Sequence, residues 1–261
     1  MTFPIQTTMQ VKSFGGTQGV YSHRSAACSC DMTFAVYVPP QALGRKCPVV
    51  WYLSGLTCTH QNVMEKGEYR RIASELGLIV VCPDTSPRGS DVPDEAGNWQ
   101  FGSGAGFYVD ATQPPYDKHY RMYSYITDEL PVLIAREFPA DMTRQSILGH
   151  SMGGHGALGM ALRKPNRFFA CSAFAPIVQP MTADWSRPVF ARYLGDDLSD
   201  WRKYDATALI EDGARYPEFL VDQGTQDQFL DTGLRPWLLQ EACKTAGIKL
   251  TLRMQEGYDH S

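Results

Sequence analysis

The chain has 261 residues, of which 43% are hydrophobic and 20% are charged, and its formal net charge is −4. This length suits a single large domain better than two small ones. The mild negative charge gives no reason to expect nucleic acid or an anionic membrane as a partner, and no apolar run approaches the roughly eighteen residues of a transmembrane helix.

The first forty residues predict antiparallel strands, most clearly at residues 32–38, where apolar and polar side chains alternate before Pro39-Pro40. Residues 48–53 are almost all apolar, as is typical of a strand buried on both faces of a parallel sheet. The further predicted strands are residues 78–82, 142–148, 169–174, 218–221 and 248–254. The predicted helices are residues 64–76, 121–138 with a kink or division at Pro131, 157–163, 206–210 with Asp205 as N-cap, and 233–246.

This alternation predicts one α/β domain over residues 1–261. Its central sheet is expected to be mostly parallel, with helices on both faces and N-terminal antiparallel strands. Ligands of such sheets bind beyond the carboxyl ends of the strands.

The seven cysteines are irregularly spaced and odd in number. Cys28 and Cys30 form a lone C-x-C pair without a second pair of ligands, so we expect no structural zinc and no other metal site. Most of the others lie in apolar runs and are expected to be small buried residues with reduced thiols. The first residues lack a basic segment followed by an apolar one, so no secretory signal is predicted and the expected location is the cytoplasm.

Between a predicted strand and a predicted helix lies the sequence Gly149-His150-Ser151-Met152-Gly153. A G-x-S-x-G pattern in that context is typical of the nucleophile elbow of the α/β-hydrolase fold, a sharp turn that holds a serine hydroxyl clear of the sheet. The flanking glycines are expected because strand and helix approach too closely for Cβ atoms. Ser151 is therefore the predicted catalytic nucleophile.

A serine hydroxyl needs a base within hydrogen-bond reach, and in this fold the order along the chain is serine, acid, histidine. Only His155 and His260 follow Ser151. His155 lies on the elbow helix, where the turn sets its place, whereas His260 follows the last predicted strand in a glycine-containing loop. His260 is therefore the predicted catalytic base.

Two aspartates near the end of the predicted strand at residues 218–221 could orient this histidine. Asp222 stands at the end of the strand, where turn capping is its alternative role, and Asp227 stands five residues further along. Because Asp227 follows a glycine turn and has more freedom to reach back, it is the predicted acid. Asp259 is adjacent to His260 in sequence, which gives poor geometry for a carboxylate–imidazole bond.

The oxyanion that forms during acyl transfer needs two backbone N–H donors. One is expected from Met152, directly after the nucleophile, and the other from the loop that follows residues 48–53. That loop lacks the H-G-G-G sequence common in lipases, but Gly55 lets the backbone approach the site. The Leu56 N–H is therefore the predicted second donor.

Together these residues resemble the S-formylglutathione hydrolase family, also called esterase D, and the resemblance extends over nearly the whole chain. The sequence blocks that carry it are residues 53–59 (LSGLTCT), 101–112 (FGSGAGFYVDAT), 120–125 (YRMYSY), 149–157 (GHSMGGHGA), 172–177 (SAFAPI) and 255–261 (QEGYDHS). So many long blocks in the same order are far more specific than the elbow alone.

The resemblance implies a serine hydrolase without a cofactor that cleaves S-formylglutathione to formate and glutathione in formaldehyde detoxification, with side activity on short-chain esters. It also implies a cytoplasmic homodimer. It supports the three triad residues and the two oxyanion donors named above. Family members commonly have two aspartates in the acid loop, and the first position here is Gln226, which leaves Asp227 in the catalytic one.

Family members continue past the histidine loop with aromatic residues and a final helix, whereas this sequence stops at Ser261. If these residues are the whole molecule, we expect lower stability or a mobile His260.

Two more residues join Gly55 as candidates for the substrate site. Cys58 follows the Leu56 donor by two residues, and its thiol either controls access through oxidation or metal binding or simply packs the loop. Trp185 lies where hydrolases often insert cap segments, and it either walls the acyl pocket or belongs to the core.

Other functions on the same fold stay open at this point. A general short-chain carboxylesterase would use the same triad, and so would an acyltransferase that passes the acyl group to an alcohol instead of water. A non-catalytic binding module would be expected to lack a triad member, and none is missing.

Overall fold

One mixed sheet organises the part of the chain that the structure, a computed structural model, describes: residues 4–95 and 97–261. Its nine strands are β1 (Gln6–Ser13), β2 (Gly16–Arg24), β3 (Asp31–Val38), β4 (Cys47–Leu53), β5 (Ile79–Pro83), β6 (Ala140–His150), β7 (Phe168–Phe174), β8 (Glu218–Gly224) and β9 (Lys249–Gln255). Their order across the sheet is β1-β2-β3-β5-β4-β6-β7-β8-β9. Strands β1 to β3 pair antiparallel, β3 joins β5 antiparallel, and every later pairing is parallel. The predicted mostly parallel sheet with N-terminal antiparallel strands is confirmed.

Helices cover both faces of this sheet. They are α1 (His60–Lys66), α2 (Tyr69–Leu76), α3 (Met122–Ser124), α4 (Leu130–Glu137), α5 (Met152–Arg163), α6 (Arg187–Leu194), α7 (Leu198–Arg202), α8 (Ala206–Glu211) and α9 (Pro236–Ala246). A 3₁₀ turn spans Pro40–Leu43, and π-helical turns span Tyr125–Glu129 and Leu230–Leu234. In the described ranges, none of these helices has the length and apolar character needed to cross a membrane.

The core forms two layers because strand side chains alternate between the faces of the sheet. On β4, Val49 and Trp51 enter the larger cluster with α4, α5 and α9, while Val50 and Tyr52 pack against the smaller one with α1 and α2. Strand β5 is buried along its whole length, as expected for an interior strand. Most of β1 is exposed, because it lies at one edge of the sheet.

The single helix predicted at residues 64–76 is wrong, because the chain forms two helices there. Helix α1 begins earlier, at His60, since Thr59 and Asn62 form a capping box that satisfies its first N–H groups. It ends at Gly67, and Glu68 adopts a left-handed conformation with φ of 45° before α2 begins. A left-handed residue cannot continue an α-helix, so the direction of the chain changes.

The kink or division predicted at Pro131 takes another form, because the helical run stays continuous from Met122 to Glu137. Proline has no N–H to donate and crowds the preceding turn, and the helical run widens into the π turn Tyr125–Glu129 just before α4. The helix predicted from residue 233 begins only at Pro236, because Arg235 before it is left-handed, with φ of 45°. The capping role of Asp205 is confirmed: its Oδ1 accepts from the Ala208 N–H at 2.9 Å. Helices α6 and α7 are absent from the prediction.

Candidate active site

Ser151 stands alone between β6 and α5, in the sharp turn that the sequence pattern predicts. Its backbone angles, φ of 57° and ψ of −118°, lie in a region that residues other than glycine rarely occupy. The turn is held from both sides, because the Ser151 N–H donates to Phe174 O at 2.8 Å and Ser151 O accepts from the His155 N–H at 3.0 Å. The strained backbone therefore presents the Ser151 hydroxyl at the carboxyl end of the sheet.

Two glycines of the motif are required by close packing. A Cβ atom on Gly153 would lie 1.9 Å from the carbonyl oxygen of Leu53, at the end of β4. A Cβ atom on Gly149 would lie 2.2 Å from the carbonyl oxygen of Gly153. Neither clash can be relieved by a rotamer change, because both partners are backbone atoms. The elbow helix can approach the sheet only because these positions lack side chains.

The structure brings Ser151, His260 and Asp227 into one hydrogen-bonded chain. His260 Nε2 lies 3.0 Å from Ser151 Oγ, and His260 Nδ1 lies 2.7 Å from Asp227 Oδ2. A carboxylate can only accept, so Nδ1 carries the proton and Nε2 is free to accept from the serine hydroxyl. This is the arrangement in which a histidine can act as a general base.

The carboxylate of Asp227 is buried, and both of its oxygens accept hydrogen bonds. Besides His260, its Oδ2 accepts from Gln223 Nε2 at 2.8 Å, and its Oδ1 accepts from the Phe229 N–H at 2.8 Å. These donors fix the direction of the carboxylate, and therefore the orientation of the imidazole. Sequence reasoning missed Gln223, because strand β8 extends three residues further than predicted.

Asp222 and Asp259, the other acidic candidates, are engaged elsewhere. Asp222 forms an ion pair with Arg253 on β9, with Arg253 Nε at 2.6 Å from Oδ1, and also accepts from Gln255. This pairing with Arg253 lowers the pKa of Asp222. The turn-capping role considered for Asp222 is therefore wrong. Asp259 Oδ1 accepts from the N–H and the hydroxyl of Ser261, each at 2.9 Å.

The two predicted oxyanion donors are available for a substrate. Within residues 4–95 and 97–261, neither the Leu56 N–H nor the Met152 N–H donates to a protein acceptor. Gly55 lies against the nucleophile, where an added Cβ would be 3.2 Å from Ser151 Cβ. Backbone donors held beside the serine can stabilise the charge that develops on an attacked carbonyl oxygen.

Four hydrogen bonds brace the loop that carries Leu56, one of them from Thr85 Oγ1 to Cys58 O at 2.5 Å and the other three with residues further away in the sequence. Those three run from Tyr108 Oη to Ser54 O at 2.8 Å, from Thr57 N to Gly104 O at 2.9 Å, and from Arg88 Nη2 to Cys58 O at 3.1 Å. Sequence reasoning found none of these three partners, because they lie 30 to 54 residues away along the chain. The loop is thus positioned before any substrate arrives, which limits reorganisation during the reaction.

A mostly apolar cavity of about 250 Å³ opens beside the Ser151 hydroxyl. Its lining residues are Gly55, Leu56, Thr57, Cys58, Trp99, His150, Ser151, Trp185, Phe229, Leu234 and His260. Trp185 thus lies in the wall, between Trp99 and Phe229, with ring centroids 6.3 Å from each. Sequence reasoning missed Trp99, Phe229 and Leu234, because single aromatic or aliphatic residues in loops carry no signal of their own.

Cys58 lines the cavity and is half-buried. Burial raises the pKa of its thiol, which keeps the sulfur protonated and weakly nucleophilic at neutral pH. Among the described residues, no group of three or more histidine, cysteine or acidic side chains could hold a metal ion.

His155 is buried in the core beneath the elbow. Its Nε2 lies 2.9 Å from the carbonyl oxygen of Phe107, and its ring contacts Phe107 and Phe190. Burial lowers the pKa of His155 to about 4. His155 therefore stays neutral at physiological pH. Its described hydrogen bond goes to Phe107 and not to the Ser151 side chain.

We expect His155 to make folding stability depend on pH. In the unfolded chain its pKa is about 6.5, so the unfolded state binds the extra proton between pH 6.5 and about 4, and stability falls as pH falls through that range. Replacing it with glutamine keeps an amide donor for Phe107 O and removes the titration. Between pH 7 and pH 5, the unfolding free energy of the natural protein should fall by roughly 2 kcal/mol more than that of His155→Gln. Urea unfolding at both pH values measures this, and equal losses would contradict it.

The comparison with known proteins agrees with this geometry. The family described as "Putative esterase" matches residues 25–261. The S-formylglutathione hydrolase of Mus musculus is 51% identical over 253 residues, covering 96% of this chain and 89% of that protein. The S-formylglutathione hydrolase of Paracoccus denitrificans (strain Pd 1222) is 51% identical over 261 residues, covering 100% and 93%.

Solved structures agree as well. A structure of an S-formylglutathione hydrolase from Agrobacterium tumefaciens superposes with a TM-score of 0.97 at 66% identity, covering 98% of this chain and 92% of that one. The Staphylococcus aureus serine hydrolase FphF superposes with a TM-score of 0.74 at 18% identity, covering 94% and 92%, and shares the fold. On these similarities, the chain belongs to the S-formylglutathione hydrolase family of esterases.

Proposed function

We propose that the protein is a serine hydrolase that cleaves the thioester S-formylglutathione to formate and glutathione. The observation that carries this proposal is the chain of hydrogen bonds from Asp227 through His260 to Ser151, beside a small apolar cavity and two free backbone donors. The names of the relatives support the thioester as substrate. No residue of the site requires a cofactor for this chemistry.

In the first half of the reaction, Ser151 Oγ attacks the thioester carbonyl carbon while His260 Nε2 takes the hydroxyl proton. The carbonyl oxygen becomes an oxyanion that accepts from the Leu56 and Met152 N–H groups. The carbon–sulfur bond then breaks, and His260 gives its proton to the departing glutathione sulfur. Formyl remains bound to Ser151 as an ester.

In the second half, a water molecule attacks the formyl ester. His260 takes a proton from the water, and the same two N–H groups hold the new oxyanion. The bond between carbon and Ser151 Oγ breaks, His260 returns its proton to Oγ, and formic acid leaves and loses its remaining acidic proton to solvent to give formate. Asp227 stays ionised and stabilises the charged imidazole in both halves.

The cavity beside Ser151 supports a small acyl group. A formyl carbon carries only hydrogen, whereas each added methylene of a larger acyl group would have to fit against the cavity lining, which includes Trp185, Phe229 and Leu234. One methylene typically changes specificity by about 10- to 200-fold in a confined apolar pocket. We propose that formyl thioesters are hydrolysed fastest and that short-chain esters are slower substrates.

The decisive experiment compares kcat/KM for S-formylglutathione and p-nitrophenyl acetate. A strong preference for the thioester supports the proposal. Comparable values would leave a general short-chain carboxylesterase, the second candidate from the sequence. Product analysis with a competing alcohol separates both from an acyltransferase, which would form a new ester instead of formate.

We also propose that the enzyme works in the cytoplasm as a homodimer. The family resemblance supports the dimer, and the seven free cysteines suit a reducing compartment. Light scattering of the purified protein measures the mass directly, and a mass near 29.1 kDa would contradict the dimer.

A further inference from the structure

The main chain of His260 has few attachments. His260 lies in the irregular segment after β9, and the described residues give its backbone a single hydrogen bond, at its carbonyl oxygen. The donor is the imidazole Nε2 of His150, at 2.6 Å. The other contacts that hold the residue are made by its side chain, with Asp227, Ser151 and Phe229.

The direction of this hydrogen bond is unambiguous. A carbonyl oxygen can only accept, so His150 carries its proton on Nε2. Burial, and secondly the nearby His260, lower the pKa of His150, which favours the neutral ring. The two imidazoles are close, with centroids 4.8 Å apart, so an uncharged His150 avoids repulsion when His260 becomes positively charged during catalysis.

His150 is well placed to act as an anchor. It is the last residue of β6, directly before Ser151, and its backbone is paired with Phe174 on β7. A side chain on an interior strand is held more rigidly than one on a loop. The same segment of chain therefore fixes Ser151 through its backbone and His260 through a side chain.

We infer that His150 is a positioning residue for the hydrolysis, because its Nε2–H holds the carbonyl of His260 and keeps that imidazole on Ser151 Oγ. The inference rests on the proposed serine-hydrolase function. The bond between His260 and Ser151 exchanges its donor and acceptor when the proton is transferred, so it is not a constant attachment of the loop. The His150 bond does not take part in proton transfer and persists through the cycle.

Three substitutions separate this role from simple packing. His150→Gln places an amide nitrogen near the position of Nε2 and keeps the donor. His150→Asn is also an amide, but its nitrogen falls near Nδ1 and cannot reach His260 O. His150→Phe keeps a ring against His260 without a donor. We expect His150→Gln to retain kcat within about threefold, and the other two to lose roughly 10- to 100-fold in kcat with KM little changed, as misplacement of a catalytic group by about 1 Å does.

The readouts are kcat and KM for p-nitrophenyl acetate and S-formylglutathione, with circular dichroism to verify folding. Full kcat in His150→Asn or His150→Phe would overturn the inference, and so would a loss in His150→Gln equal to theirs. A second test needs no substitution. The ¹⁵N chemical shifts of the natural protein with labelled histidines report which ring nitrogen of His150 carries the proton, and a proton on Nδ1 instead of Nε2 would also overturn the inference. If the natural protein hydrolyses neither substrate, the proposed function itself fails, which is a different result.

Discussion

Replacing Ser151 by alanine should lower kcat by about 10⁶-fold, because the nucleophile is lost. The substitution removes the oxygen that is hydrogen-bonded to His260 Nε2, and with it the covalent intermediate. The fold should persist, because alanine fits the space of serine and the backbone hydrogen bonds of the turn remain. Hydrolysis of S-formylglutathione and of p-nitrophenyl acetate measures the loss.

Ser172 offers a matched control, because it lies on β7, beside Leu148 of β6 in the same sheet, and makes no described contact with the triad. Ser172→Ala should keep kcat within a few-fold. Incubation with a fluorophosphonate should add one label to the natural protein and to Ser172→Ala, and none to Ser151→Ala. A labelled, active Ser151→Ala protein would show that another residue is the nucleophile.

Replacing Asp227 by asparagine should lower kcat by about 10⁴-fold, with the fold intact. Asparagine offers an amide N–H₂ as well as an oxygen, which allows the His260 ring to place its proton on Nε2 instead of Nδ1. In that tautomer the ring cannot accept the Ser151 proton. Because the substitution leaves the cavity unchanged, KM should move little and the loss should appear in kcat.

Asp222 provides the control for this prediction, since it is a second aspartate of the same strand and loop. Asp222→Asn removes the ion pair with Arg253, whose side chain is half-exposed, so the loss of stability should be about 0.5–1 kcal/mol. Its kcat should stay within about twofold of the natural value. Equal losses in the two variants would mean that Asp227 has no special role in orienting His260.

The amino-acid sequence predicts those features whose causes lie within a few consecutive residues. The elbow is one, because its serine and its glycines stand in five consecutive positions, and the close approach of strand and helix requires glycine at Gly149 and Gly153. The cap at Asp205 is another, because a side-chain acceptor acts on the adjacent turn. The α/β class with a mostly parallel sheet follows from the same source, since apolar runs and helical runs alternate.

Where local signals compete, sequence reasoning goes wrong. The hydrophobic pattern of residues 64–76 fits one helix, but the left-handed Glu68 divides it into α1 and α2. The helix predicted from residue 233 begins late, because a residue before proline disfavours the α conformation and Arg235 adopts another one. In both cases a single backbone conformation outweighs the periodicity of the side chains.

Only the tertiary structure decides which residues surround and support the catalytic triad. The sequence favours Asp227 over Asp222 as the acid, but it does not reveal Arg253, which the parallel pairing of β8 and β9 places beside Asp222. Nor does it reveal Gln223, which donates to Asp227. The cavity wall and the His150 anchor depend on loops that meet only because the parallel strands end at one edge of the sheet. A feature whose cause acts within one turn can therefore be predicted from adjacent residues. A hydrogen bond between distant residues cannot, because it depends on ångström-scale distances that only the folded chain sets.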